Sequence, residues 1–182
     1  MVKLSDLKIG QVLKTEFEGI TRELLKQYAK ASGDTNPIHT NDAVAETAGL
    51  KGVIAHGLFS LGFITKLFED LLGHGKLGNL LELSVEMRGM VRCGDKLVTE
   101  ATVEKIEGNK IIFSITQTSF TNIDIKDKNG KIIKQFEAAE RGYISEKDIE
   151  RGLVKSKEVK EGILTYRERV AIPGSAIIEL FD

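Results

Sequence analysis

Gly57-Leu58-Phe59-Ser60-Leu61-Gly62-Phe63-Ile64-Thr65-Lys66-Leu67-Phe68-Glu69-Asp70-Leu71-Leu72 carries apolar side chains around most of a helical circumference. A helix on a protein surface shows a single apolar stripe, whereas one that is apolar nearly all round needs neighbours on several sides. The segment is therefore expected to be the central element of the fold, enclosed by the rest of the chain. Lys66, Glu69 and Asp70 interrupt it, and it falls short of the roughly 20 apolar residues of a membrane span, so it reads as a buried helix.

Downstream of Gly73 the pattern turns to β. Leu81 to Arg88, Lys96 to Ile106, Lys110 to Ile125 and Lys131 to Ile144 are β-prone runs separated by turn formers, among them Asn129-Gly130, a strong hairpin signal. Leu97, Thr99, Ala101 and Val103 alternate with Lys96, Glu100 and Glu104, which predicts one packed face and one wet face. The expectation is α+β: an antiparallel sheet curled around one long helix, over residues 1–144. Ser145 to Gly162 is charged and reads as a linker or frayed helix, and Ile163 to Asp182 is β-prone. Twenty residues of strand cannot bury themselves, so the tail 145–182 is expected to dock as an extra strand on this chain or on a neighbour.

Upstream, Val12 to Glu18 is a short β-prone segment. Thr21 can cap a helix on which Leu24, Leu25, Tyr28 and Ala29 fall at helical spacing, ending near Ser32-Gly33. Ser32-Gly33-Asp34-Thr35-Asn36-Pro37 is dense in turn formers, and a short helix follows over Asp42 to Ala48.

Composition narrows the function. Of 182 residues, 26 are Lys or Arg and 27 Asp or Glu, so a net charge of −1 offers no field for gathering nucleic acid or anionic membrane. The lone Cys93 forms no intrachain disulfide and leaves no Cys cluster for zinc, which suits a reducing compartment and makes cytoplasm the expected location. Residues 1–10 mix charged and apolar side chains and do not read as a secretory signal. The three histidines show no His-x-x-x-His spacing, so neither metal nor cofactor is expected.

Chemistry concentrates in Asp34-Thr35-Asn36-Pro37-Ile38-His39. A carboxylate and an imidazole stand across a turn that Pro37 stiffens, as an acid–base pair requires. A carboxylate partly buried against apolar helices, as is expected here, and an imidazole beside it can exchange a proton near neutral pH. At His56-Gly57, the first N–H groups of the long helix lack intrahelical acceptors, and Gly57 permits close approach of an enolate-like oxygen. Such donors are worth roughly 3 to 4 kcal/mol of barrier. Against this, Asp34 is equally an Asx-turn residue, His39 could serve only a backbone group, and His56 reads more readily as packing or capping the helix. His74 reads as solvated and Cys93 as unreactive.

Tyr28 to His39, together with Val53-Ile54-Ala55-His56-Gly57-Leu58, resembles the MaoC-like dehydratase, or hydratase 2, family. Val85-Glu86-Met87-Arg88-Gly89-Met90-Val91-Arg92-Cys93-Gly94-Asp95-Lys96-Leu97 is similar to that family's β-segment leading into a Gly-Asp turn, and the likeness extends over about residues 5 to 144. The resemblance implies a hotdog fold and reversible syn addition of water to a trans-2-enoyl thioester, giving the (R)-3-hydroxyacyl product. It places Asp34 and His39 on the catalytic pair and Gly57 on the N–H that polarises the thioester carbonyl. Asn36 and His56 fall in supporting positions. Thr65 aligns with a supporting hydroxyl, although eight residues of helix put it about 12 Å from Gly57. An acyl-CoA or acyl carrier protein substrate and a homodimer or dimer of dimers are implied as well. The competing readings are a hotdog thioesterase, which tends to start its helix with His-Gly-Gly, and a non-catalytic partner subunit, which would have lost the Asp or the His.

Overall fold

The computed structural model describes residues 6–181. The element order is β1 (Val12–Phe17), α1 (Arg22–Ser32), a single 3₁₀ turn (Pro37–His39), α2 (Asp42–Thr47), α3 (Gly57–Leu71), β2 (Gly78–Val85), β3 (Lys96–Glu107), β4 (Lys110–Lys126), β5 (Ile132–Gln135), α4 (Glu137–Glu140), α5 (Glu146–Glu150), β6 (Val154–Val159) and β7 (Gly162–Leu180). The starts of α1, α2 and α5 are fixed by side-chain caps. Thr21 accepts from the Leu24 N–H at the head of α1, and Gly33 closes that helix in the left-handed conformation at φ 77°. No helix among the described residues is long and apolar enough to cross a membrane.

The strands form one antiparallel sheet in the order β1-β3-β4-β7-β2, with β5 added to β4 and β6 to β7. α3 lies on one face of it. Ser60, Ile64, Phe68 and Leu71, spaced by one helical turn, are the buried positions of α3. They meet an inner sheet face that includes Leu97, Ala101, Val103, Ile111, Phe113, Ile115, Ile172, Ala176 and Ile178. Phe68 meets Phe113 edge to face at 5.3 Å. Burying each such side chain contributes about 1.5–3 kcal/mol. Gln117, buried in the sheet, donates to the Ser60 carbonyl at 2.9 Å and to Thr99 Oγ1 at 3.0 Å, which pins the first turn of α3 to the strands.

Three expectations are corrected. α3 is not enclosed: Leu58 is 63% exposed, and Phe59, Leu61, Phe63 and Leu67 are half-buried, because the sheet covers a single side of the helix. The run 131–144 is not one strand. Glu137-Ala138-Ala139-Glu140 has high helix propensity and forms α4, leaving β5 only four residues. Of the linker or frayed-helix reading of 145–162, the helical alternative holds for the capped α5, and the rest gives way to β6. Ser145 and Asp148 form a reciprocal capping box at the head of α5.

The tail does join the sheet of its own chain, but not at the margin. β7 runs between β4 and β2, pairing with β4 from Lys110↔Glu179 to Lys126↔Ile163. A boundary at residue 144 would therefore cut through the sheet. The hairpin at Asn129-Gly130 forms as read, with Asp127 Oδ1 accepting from the N–H groups of Asn129 and Lys131 and Gly130 at φ 81°.

Candidate active site

Between α1 and α2 the backbone is held by a relay of short polar side chains. Ser32 Oγ accepts from the Asp34 N–H, Asp34 Oδ1 from the Asn36 N–H, and Asn36 Oδ1 from the Ile38 N–H, each at 3.2 Å. Asp34 thus does form the Asx turn, which employs one carboxylate oxygen, and Asn36 caps the 3₁₀ turn that carries His39. Asp34 is exposed and not partly buried as expected, since the left-handed Gly33 turns the chain outward as α1 ends.

His39 is half-buried, and its Nδ1 lies 2.8 Å from the Ile54 carbonyl. A carbonyl only accepts, so Nδ1 carries a proton, and Nε2 is the nitrogen left over to act as a base. The Ile54 carbonyl is fixed in turn, because the Ile54 N–H donates to the Ile38 carbonyl and the Ala55 N–H to that of Val91. His56 occupies the position preceding α3 and makes no side-chain cap bond. Its Nε2 instead donates to the Asp34 carbonyl at 3.1 Å, and its ring stacks on that of His39 at 3.9 Å between centroids. The Tyr28 ring also packs against His56, tilted, at 4.9 Å between centroids. His56 is buried, and that burial, foremost, holds its pKa below the ordinary histidine value, with the neighbouring His39 adding to the effect.

The ligand atoms of Asp34, His39 and His56 all lie within 4.8 Å of one another. That spacing suits one water or one small cation. Beside them opens a cleft of about 220 Å³ lined by His39, Ile54, Ala55, Gly57, Ser60 and Ile172 together with the 87–91 segment. Gly57 is at its mouth, where an added Cβ would come within 2.6 Å of Met87 Sδ. Thr65 stands apart: its hydroxyl donates to the Gly62 carbonyl two turns along α3. His74 is exposed near Glu69, and burial pushes the Cys93 thiol up to about 11.

Met87 and Met90 reach the cleft from a segment recognised only as a strand followed by a turn, and Ile172 comes from the tail, where no motif announced it. The Ile54 carbonyl, which sets the tautomer of His39, is a backbone group and leaves no mark in the residue type.

The sequence model described as "MaoC like domain" matches residues 6–124. The (R)-specific enoyl-CoA hydratase of Rhodospirillum rubrum is 34% identical over 99 residues, 54% of this chain and 67% of that protein. The fatty acid synthase beta subunit TOXC of Cochliobolus carbonum is 43% identical over 70 residues, 38% of this chain but only 3% of that protein. The chain thus spans a few per cent of the length of such synthase subunits. Among solved structures, an (R)-hydratase from A. caviae has a TM-score of 0.61 at 20% identity, covering 96% of this chain and 98% of that one. The MaoC-like dehydratase from Rhodospirillum rubrum has a TM-score of 0.55 at 13% identity, covering all of this chain and 99% of that one. With the helix on its antiparallel sheet repeated in these neighbours, and the family's sequence pattern running through about two thirds of the residues, this chain is a hotdog protein that belongs to the MaoC-like domain family.

Proposed function

We propose that the chain catalyses reversible (R)-specific hydration of trans-2-enoyl thioesters, carried on CoA or on acyl carrier protein. The observation that carries this reading is the convergence of Asp34, His39 and His56 beside the open N-terminus of α3 and its cleft. One water sits between the Asp34 carboxylate and His39 Nε2. The imidazole removes a proton as the water oxygen bonds to C3, and the C2=C3 electrons move towards the thioester carbonyl. The Gly57 N–H receives the negative charge on that oxygen, a backbone donor at the positive end of α3. A proton returns from the Asp–His pair to C2, so the atoms of water are all accounted for and the pair ends as it began. His56 supports the site by fixing the Asp34 carbonyl and backing the His39 ring. The scheme requires no metal or cofactor.

We further propose that the working unit is a homodimer or a dimer of dimers. β2 ends the sheet order and exposes Leu81, Leu58 is exposed in the first turn of α3, and Met87 and Met90, which line the cleft, are exposed as well. A second copy would cover this apolar surface.

The test of the site is to purify Asp34→Asn and His39→Ala and measure hydration of crotonyl-CoA. General acid–base groups contribute roughly 10²–10⁴ in rate, so each variant is expected to lose that much kcat. Full activity in both would remove the assignment.

A further inference from the structure

The backbone that carries the site is gripped by a part of the chain that lies beyond the family match, which ends at residue 124. Lys51 adopts φ 59°, a left-handed conformation that a side-chain-bearing residue rarely takes, and Gly52 follows at φ 133°, so this connection into Ile54 depends on its surroundings to hold it. The holding groups come from α4 and the turn after it. Lys51 Nζ donates to the Gly142 carbonyl at 2.8 Å. A Cβ on Gly52 would meet Tyr143 Oη at 2.9 Å, Asp42 Oδ1 at 3.2 Å and an Arg141 guanidinium nitrogen at 3.3 Å, so the backbone is seated directly against these three side chains. The Val53 N–H donates to Asp42 Oδ1 at 3.0 Å. Asp42 is fixed by Arg22 at 2.6 Å, and Arg22 is shared with Glu137, which also binds Arg141 at 2.7 Å and accepts from the Tyr143 hydroxyl at 3.1 Å. Arg92, buried over the Tyr143 ring at 4.2 Å, faces the Gly52 carbonyl at 3.4 Å.

We propose that Glu137, Arg141 and Tyr143 are positioning residues for the Asp34–His39 site, acting through Asp42 and Gly52 on the Ile54 carbonyl and the Gly57 N–H. The path is short. The Val53 N–H held by Asp42 and the Ile54 carbonyl that accepts from His39 are in adjacent residues, and Gly57 follows three residues later. A shift of the 51–53 backbone therefore rotates His39 off its Nδ1–H bond and moves the oxyanion donor. Misplacement of reacting groups by about 1 Å costs on the order of 10²-fold in rate. The network is partly solvent-exposed, so its ion pairs add little to global stability, and its effect is expected in geometry more than in folding.

This inference rests on the hydratase reading for its kinetic arm, and a second arm is independent of activity. Arg141→Gln and Tyr143→Phe, with the outward-facing Glu140→Gln as control, are assayed for kcat and KM on crotonyl-CoA. The ¹⁵N imidazole signals of His39 are recorded alongside. The expected result is a roughly 10- to 100-fold fall in kcat with KM within about threefold, loss of the protected His39 Nδ1–H signal in both variants, and wild-type behaviour in the control. Arg141→Lys, which keeps a cation, restores part of the rate. Folded variants with wild-type kcat and an unchanged His39 signal would overturn the proposal. Should the wild type itself not turn over, the hydratase reading fails, while the imidazole signals still decide the positioning role.

Discussion

At the scale of single residues, the arrangement of His39 is what the account depends on: one ring nitrogen committed to a carbonyl, the other left as a base beside an exposed carboxylate. Asp34→Asn keeps an oxygen for the Asn36 N–H, so its thermal midpoint is expected to stay near wild type while activity falls, a separation that calorimetry and a rate assay establish together. Gly57→Ala should fold, because the Cβ it adds meets the flexible end of Met87 and not backbone. The Gly57 N–H is retained, but the displaced thioether then crowds the cleft and keeps the thioester from that donor, so kcat/KM on crotonyl-CoA is expected to fall at least about tenfold. His56 gives a pH dependence of defined sign. Its pKa is depressed in the folded state, so the unfolded chain binds the proton more readily. Stability from neutral His56 is complete above the unfolded value of about 6.5 and is lost as pH falls through the lower folded value. Denaturation midpoints measured from pH 8 to pH 5 should fall over that interval, and a His56→Phe variant should flatten it. These residues were legible in the sequence because Asp34, Asn36, Pro37, His39, His56 and Gly57 sit in two short runs where local turn chemistry speaks. Glu137, Arg141 and Tyr143 were not. Arg22 lies 115 residues from Glu137, and pairing over such a separation has no local signature.

Among the elements, α1, α2, α3 and β1 to β4 were readable to within a few residues, since each has periodic apolar positions bounded by a cap, a glycine or a turn. Two failures have physical causes. The apolar sides of α3 suggested enclosure, yet the sheet covers one side only, and the remaining apolar side chains are half-buried, Phe59 and Phe63 against Phe17 of β1, or exposed, as Leu58 is. The tail had too little context: a strand of 19 residues takes its place from β4 and β2, which bracket it in space but not in sequence. It follows that truncation after residue 144 removes an interior strand. The shortened chain is expected to lack dispersed amide resonances and cooperative unfolding, and a well-folded 1–144 fragment would contradict the topology. Within α3, Phe68→Ala empties a fully buried site against Phe113 and should cost about 3–5 kcal/mol in urea unfolding.

For the molecule as a whole, the sheet, its one covering helix and the cleft at that helix's N-terminus form a unit that the chain builds largely alone, and the second copy proposed above would sit against the exposed Leu81 of β2. Light scattering is expected to give at least twice the 20.1 kDa of one chain, and Leu81→Glu is expected to lower it towards a single copy. The pairing and the chemistry stand or fall separately, however. The measurement that bears on the chemistry most directly is purified protein with crotonyl-CoA, following the conjugated enoyl-thioester absorbance while a thiol reagent reports free CoA. The account predicts loss of conjugation without thiol release and the (R)-3-hydroxybutyryl thioester as product. Thiol release would instead mark a thioesterase, and unchanged absorbance with enoyl chains of every length, on CoA and on carrier protein alike, would mark a partner subunit; either result contradicts the hydratase assignment.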